Sequence, residues 1–289
     1  MGEVAGYNNG SPGISRWTTG EPNTRCRRHH MARSSSGESV LQRAVRILSS
    51  FSAAAPSLAV ADIARAADLP TATAYRLVNE LVALGVLERD RDNRVRVGLL
   101  LWEWGSRSPF PQQLRHIALP TMERLQARVK HHTMLGILVG ADVLYLDRLS
   151  ERGAVDNIAH VGGRLPIHTV SAGLVLLAHS PTDLQDQIIN GPMRRYTRWT
   201  ITDPTVLRRT LAEVRHSGVA TGDQTVIPGV VGLAAPVRTA EGEVVAALSI
   251  VFPRDDPQRR AHKTALVAAA RQISRQAASL MFDDVDISN

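Results

Sequence analysis

Residues 68–90, DLPTATAYRLVNELVALGVLERD, decide how this chain is read. Asp68-Leu69-Pro70 makes a tight stop, and a helix begins at about Thr71. Its apolar spacing turns Ala74, Leu77, Val78, Leu81 and Leu84 inward, and Gly85 closes it. Tyr75 and Arg76 then fall on the face turned away from the core. Either that face is merely solvated, or it reads something.

The flanks favour the second answer. Upstream, Val40, Ala44, Leu48 and Phe51 recur at helical spacing behind a candidate capping box at Ser35-Ser36-Gly37-Glu38. A short helix, VADIARAAD, follows Pro56-Ser57 with Val60, Ile63, Ala64 and Ala67 inward. Downstream, LERDRDNRVRVG sets Leu87, Val95 and Val97 on one face and Arg89, Arg94 and Arg96 on the other, around an Asp92-Asn93 turn. Helix, helix, tight turn, helix and basic hairpin is the order of a winged helix-turn-helix.

Composition permits a polyanionic partner. The chain of 289 residues carries +7, with pI near 10.4. Residues 39–98 hold eight Arg against six acids, so much of the excess lies elsewhere and charge alone does not prove nucleic-acid binding. Aromatics are 4% of residues, so the core is aliphatic. The single cysteine, Cys26, excludes an internal disulfide and a cysteine-based zinc site. No apolar run approaches a membrane span, and no basic-then-apolar signal precedes the body. The expectation is a cytoplasmic protein with no membrane association.

Residues 1–36 have no apolar period and are expected to be a disordered tail, with Met31 as a second candidate start. The winged unit is placed at 37–98, a connecting helix at 99–111, a larger unit at 112–283 and a short tail at 284–289. In the larger unit a helix is expected at about 112–131. TMLGILVGADVLYLDRLS reads as two short strands, and helices follow at about 171–179 and 203–217. VVGLAAPV and VVAALSIVF read as apolar strands, before a closing helix at about 257–281.

With both halves in view, the sequence resembles the IclR family of bacterial transcription regulators across about residues 38–283. The first unit matches in SVLQRAVRILSSFS, ADIARAADLPTATAYRLVNEL and GVLERDRDNRVRVG. The second matches in GRLPIHTVSAG, RHSGVATGDQTVIPGVVGLAAPV and EGEVVAALSI. The resemblance implies an α+β chain: a winged helix-turn-helix, a linker helix and a GAF-like α/β effector domain. It also implies a homodimer or dimer of dimers, and control by a small molecule, often an organic acid or an aromatic. The expected function is repression of a nearby catabolic operon, relieved or modulated by that effector. Activation by the same architecture is the alternative, as is a ligand-binding module with incidental DNA contacts.

Candidate residues follow. Thr71, Ala72, Thr73, Tyr75, Arg76 and Asn79 would face a major groove, whose base edges offer hydrogen bonds and the thymine methyl. Arg94 and Arg96 on the wing would meet phosphate or the minor groove of a double-stranded operator. From the resemblance, Leu165, His168, Gly232 and Leu233 fall in segments that line the effector cavity, with Val251 as a further candidate and Ser249 and Asp223 as its polar contacts. The amides of Ser171, Ala172 and Gly173, at a helix N-terminus, would receive an anion.

Several positions depart from the family pattern. Thr71-Ala72-Thr73 replaces Lys-Ser-Thr, Tyr75 a frequent His, and Leu174 a lysine. Gly222-Asp223-Gln224-Thr225 thins an acidic run, Gly232 replaces a common cysteine, and Val251 replaces a serine. Fewer polar donors predict a more apolar ligand. No nucleophile elbow, P-loop, dinucleotide glycine pattern or H-E-x-x-H is present. Read as helical neighbours, His131 and His132 diverge and cannot chelate together. No enzyme, cofactor or metal site is expected.

Overall fold

The computed structural model describes residues 37–52 and 54–278. The expected disordered tail, half of the expected capping box and the last residues of the expected closing helix lie outside them. Two compact units part between Leu100 and Leu101.

The first unit comprises α1 (Val40–Leu48), β1 (Ser57–Leu58), α2 (Val60–Ala66), α3 (Thr71–Ala83), β2 (Leu87–Arg89) and β3 (Val95–Val97). α1 starts at Ser39, whose hydroxyl accepts from the Gln42 amide while Gln42 Oε1 accepts from the Ser39 amide. The capping box, at Ser39 and Gln42, is therefore four residues past the serine–glutamate pairing expected from the sequence. Ile47, rather than Val40, is the anchor of α1: Ile47 is fully buried and Val40 is half exposed. Val60, Ile63, Ala64 and Ala67 of the second helical segment are all buried against Ala74, Leu77 and Val78 of α3. Asp68 turns between the two helices at φ 51°, where Arg46 of α1 donates to the carbonyls of Ala67 and Asp68 and braces the turn.

The strands order β1-β3-β2, all antiparallel. Leu87 stands opposite Val97, Glu88 opposite Arg96 and Arg89 opposite Val95. Opposed residues share a face, so Arg89 lies with the apolar set and not with Arg96, which corrects the reading from alternation. Leu84 is a second correction: at 68% exposed it ends the helix outside the core.

The division between units falls within α4 (Leu99–Gly105), which buries none of its residues. Then come α5 (Pro109–Val129), β4 (His132–Val139), β5 (Asp142–Ser150), β6 (Arg164–Pro166), α6 (Ser171–Ala178), α7 (Thr182–Asn190), α8 (Pro204–Ser217), β7 (Ala220–Asp223), β8 (Val230–Arg238), β9 (Val244–Pro253) and α9 (Arg259–Ala277). Six strands form one antiparallel sheet in the order β6-β5-β4-β9-β8-β7. Its two faces bury different cores. Leu233, Val237, Leu248, Ile250 and Phe252 pack on α5 and α9, through Leu114, Met122, Leu266 and Ile273. On the other face, Met134, Val143, Tyr145 and Ala247 pack towards α6, which is buried along its whole length, and α8. Both faces being covered, these strands read as apolar runs rather than alternations. Among the described residues, no helix is long and apolar enough to cross a membrane.

Candidate DNA-reading face and effector cavity

The outer face of α3 is built by elimination. With Ala74, Leu77 and Val78 buried, Thr71, Ala72, Tyr75, Arg76 and Asn79 are exposed and Thr73 is half-buried. Arg76 pairs with Glu80 one turn on, at 2.7 Å. Asn79 is the meeting point with the wing: Arg89 donates from Nη2 to Asn79 Oδ1 at 2.8 Å and from Nη1 to Asn93 Oδ1 at 2.9 Å. Arg89 was not among the candidate residues, because only the strand register shows that it points at α3.

Asp90 organises the wing turn. Its carboxylate accepts from the amides of Asp92 and Arg94 and from the Ser57 hydroxyl, and Asn93 takes φ 58°. The Ser57 bond leads the causes that hold Asp90 below its usual pKa. Arg94 donates to the Ser57 carbonyl at 2.8 Å, and Arg96 grips Glu88 at 3.0 Å. Glu88 also accepts from the Leu99 amide, the largest cause of its lowered pKa. Arg96 is thus tied to the wing's base.

In the second unit a cavity with about 470 Å³ of empty space, partly open to solvent, lies against the α6 side of the sheet. Strand parity places its floor. Met134 and Ala234 both stand opposite Ser249, and Gly232 stands opposite Val251 and Gly222. Ser249 is 1% exposed, and its Oγ finds no hydrogen-bond partner among the described residues. Tyr145 also lines the cavity, and burial pushes its phenol well above its ordinary pKa, so it stays a neutral donor.

One end of the cavity is the start of α6. Val170 precedes the helix without a side-chain cap, so the first amides, at Ser171, Ala172 and Gly173, have no intrahelical acceptor. A Cβ at Gly232 would lie 2.9 Å from Ser171 Oγ, so glycine there keeps a notch open beside that helix end. The far wall is segment 224–230, including Thr225, Val226 and Ile227. It is pinned by Thr197 Oγ1 donating to the Gln224 carbonyl at 2.7 Å and Thr200 Oγ1 to the Thr225 carbonyl at 2.6 Å.

Of the effector candidates, Leu165, Ser171, Gly232, Ser249 and Val251 meet at this cavity. The others lie elsewhere. Leu233 faces α5 and α9, one residue out of parity with Gly232. Asp223 pairs with Arg254 at 3.1 Å and Arg259 at 3.8 Å. His168 is buried with Nε2 3.1 Å from the Arg194 carbonyl. Ala172 and Gly173 are buried in helix packing. Met134, Tyr145, Asn157 and Thr225 were missed, since nothing in a doubly buried strand or an irregular segment marks which side chains meet a hollow. His131 and His132 do diverge, but not as helical neighbours: His132 belongs to β4 and His131 lies 3.8 Å from Asp256.

The comparisons agree on both halves. Residues 40–91 match the IclR helix-turn-helix domain and residues 111–277 the bacterial transcriptional regulator IclR C-terminal model. The HTH-type transcriptional regulator BhcR of Paracoccus denitrificans is 31% identical over 248 residues, 84% of this chain and 88% of the relative. The HTH-type transcriptional repressor AllR of Klebsiella pneumoniae is 30% identical, over 82% of this chain and 89% of its own. A crystal structure of an IclR homolog from Microbacterium hydrocarbonoxydans, complexed with 4-hydroxybenzoate, superposes with TM-score 0.79. It is 40% identical, covering 84% of this chain and 100% of that one.

Proposed function

The chain belongs to the IclR family of bacterial transcriptional regulators, and on that premise we propose that it represses a nearby catabolic operon until a small aromatic acid enters its cavity. Ser249 carries the reading. A hydroxyl buried without a partner costs about 1–3 kcal/mol, and a ligand oxygen in this cavity would supply what it lacks. The Microbacterium hydrocarbonoxydans relative holds 4-hydroxybenzoate, and the lining here suits such a molecule. The uncapped start of α6 attracts a carboxylate, while Met134, Leu165, Val170 and Val251 offer an apolar wall to a ring. Leu165, Ser171, Gly232, Ser249 and Val251 are the proposed effector contacts.

The outer face of α3, Thr71 through Asn79, is proposed to enter the major groove of the operator. A second copy is the proposed partner of α1 and α4, where Leu41 is 78% and Trp102 69% exposed. A chain that stays monomeric in light scattering would refute that pairing. Effector binding then shifts the population between operator-bound and free forms by its differential affinity for the two. A gel shift on the DNA upstream of the protein's own gene, with and without 4-hydroxybenzoate, tests the whole reading. A specific shift released by the acid is expected, and the absence of any specific shift overturns it.

The wing carries a separate prediction. Arg94 is exposed, and its charge has no carboxylate within 4 Å among the described residues. Arg94→Ala is expected to weaken binding to operator and random DNA nearly equally, and to flatten the salt dependence by about one phosphate contact, a slope change of roughly 0.9. A loss confined to the operator would refute a phosphate role.

A further inference from the structure

Segment 154–159 forms one wall of the cavity, through Asp156, Asn157 and Ile158, yet it lies in neither helix nor strand. Its main chain hangs instead on two side chains that rise from the sheet. His132 of β4 donates from Nε2 to the Val155 carbonyl at 2.6 Å. Arg148 of β5 donates from Nη1 to the carbonyls of Asn157 and Ala159. Met134, on the cavity floor and opposite Arg148 in register, accepts from Asn157 Nδ2 at 3.3 Å. Among the described residues the Arg148 guanidinium has no carboxylate within 4 Å, so its charge is spent on carbonyl oxygens.

The two side chains are also joined to each other. Arg148 Nε donates to Ser150 Oγ at 2.9 Å. Ser150 Oγ lies 2.9 Å from His132 Nδ1, and in the neutral ring, whose Nε2 carries the proton given to Val155, Nδ1 accepts from that hydroxyl. Arg148 Nη2 stands 3.5 Å from the same Nδ1. The arrangement therefore gives the neutral imidazole one defined tautomer, with its proton on Nε2.

We infer that His132 and Arg148 are positioning residues for the effector, holding segment 154–159 closed over the cavity only while His132 is neutral. A second proton, at Nδ1, would remove the acceptor for Ser150 and set two cations side by side, so the wall loosens and effector affinity falls as pH drops. The groups that face His132 act in the same sense. Arg148 from β5 and His131 beside it oppose its charge, and β9 contributes uncharged Val251 opposite. Burial, the largest cause, also draws its pKa below the ordinary histidine value. The pH effect thus belongs below the ordinary range, with no dependence on His132 at neutral pH and above.

The inference about affinity rests on the cavity being the effector site, so the test has one arm with ligand and one without. In the ligand-free full chain, hydrogen exchange of residues 151–163, corrected for the intrinsic pH dependence, is expected to rise about tenfold between pH 7.5 and 5. Arg148→Gln should raise it by about tenfold at both pH values, the equivalent of about 1.4 kcal/mol, as for one charge-assisted hydrogen bond. His132→Gln retains a neutral donor and should keep the segment protected while abolishing the pH step. In the ligand arm, titration with 4-hydroxybenzoate should show wild-type affinity falling with pH and His132→Gln affinity holding level. A pH step that survives in His132→Gln, or an unchanged segment in Arg148→Gln, overturns the inference. A wild-type chain that ignores 4-hydroxybenzoate at every pH refutes the proposed occupant, and the exchange arm still decides the role of the two side chains.

Discussion

Gly173→Ala is expected to lower the melting temperature of the second unit by roughly 6–12 °C and to abolish its response to effector, a loss of about 3 kcal/mol at the usual 2–4 °C per kcal/mol for a domain of this size. The reason is a backbone contact. A Cβ at residue 173 would fall 1.9 Å from the Ile167 carbonyl oxygen and 2.6 Å from its carbon. Main chain cannot rotate away as a side-chain tip can, so α6 must move. All eight residues of α6 are buried, which leaves no free direction. Overpacking of this kind forces backbone shifts rather than local accommodation. Because the same helix start closes one end of the cavity, displacement should erase ligand binding as well. The first unit has its own core around Ile47, Ile63 and Leu77, so specific DNA binding should survive below the lowered transition. Calorimetry checks this directly: a melting temperature within about 2 °C of wild type would mean that α6 has slack the close approach denies.

The winged unit was legible because its helices bury one face and expose the other. Spacing alone placed Ala74, Leu77 and Val78 inside and left Tyr75 and Arg76 outside. It failed where the period ran past the core: Leu84 fits the stripe but sits at the helix's last turn, beyond what α3 packs against. Arg89 shows a second limit. On short strands alternation is countable from either end, and only the pairing of Arg89 with Val95 decides its face. In the second unit β6 and β7 went unseen because strands of three and four residues carry too few alternations to register. α7 went unseen because only Ile188 and Ile189 of its nine residues are buried. The cavity was half legible. Ser249, expected as a polar contact of the effector, lines the cavity, whereas Asp223, expected beside it, is paired with Arg254 and Arg259, a partnership between distant segments that no local pattern contains. Arg148 and His132 were invisible for the same reason: their partners are carbonyls of an irregular segment, which have no sequence signature.

Ser249→Ala should move two measurements in opposite directions. Without ligand, the variant is expected to be more stable than wild type by about 1 kcal/mol, the low end of the cost of a buried hydroxyl left unpaired, or roughly 2–4 °C in melting temperature. The substitution removes only Oγ, and the opposed residues, Met134 and Ala234, keep their packing. With effector, the same variant should bind more weakly. A hydrogen bond to a charged group contributes about 1.5–3 kcal/mol, so an effector carboxylate that uses Ser249 would lose more than tenfold in affinity. Its thermal shift should shrink in proportion. Opposite signs separate a ligand-binding hydroxyl from a structural one, because a serine that supports the fold would lower stability and affinity together. A fall in the melting temperature of ligand-free Ser249→Ala would therefore show that its hydroxyl is satisfied within the fold and would withdraw the observation on which the effector reading rests. A gain in stability with affinity unchanged would place the ligand's polar end at the start of α6 instead, beside Ser171. A gain coupled to a loss of binding would mean that a fold-stabilising atom was given up in the cavity floor for the sake of the ligand, as functional sites commonly do.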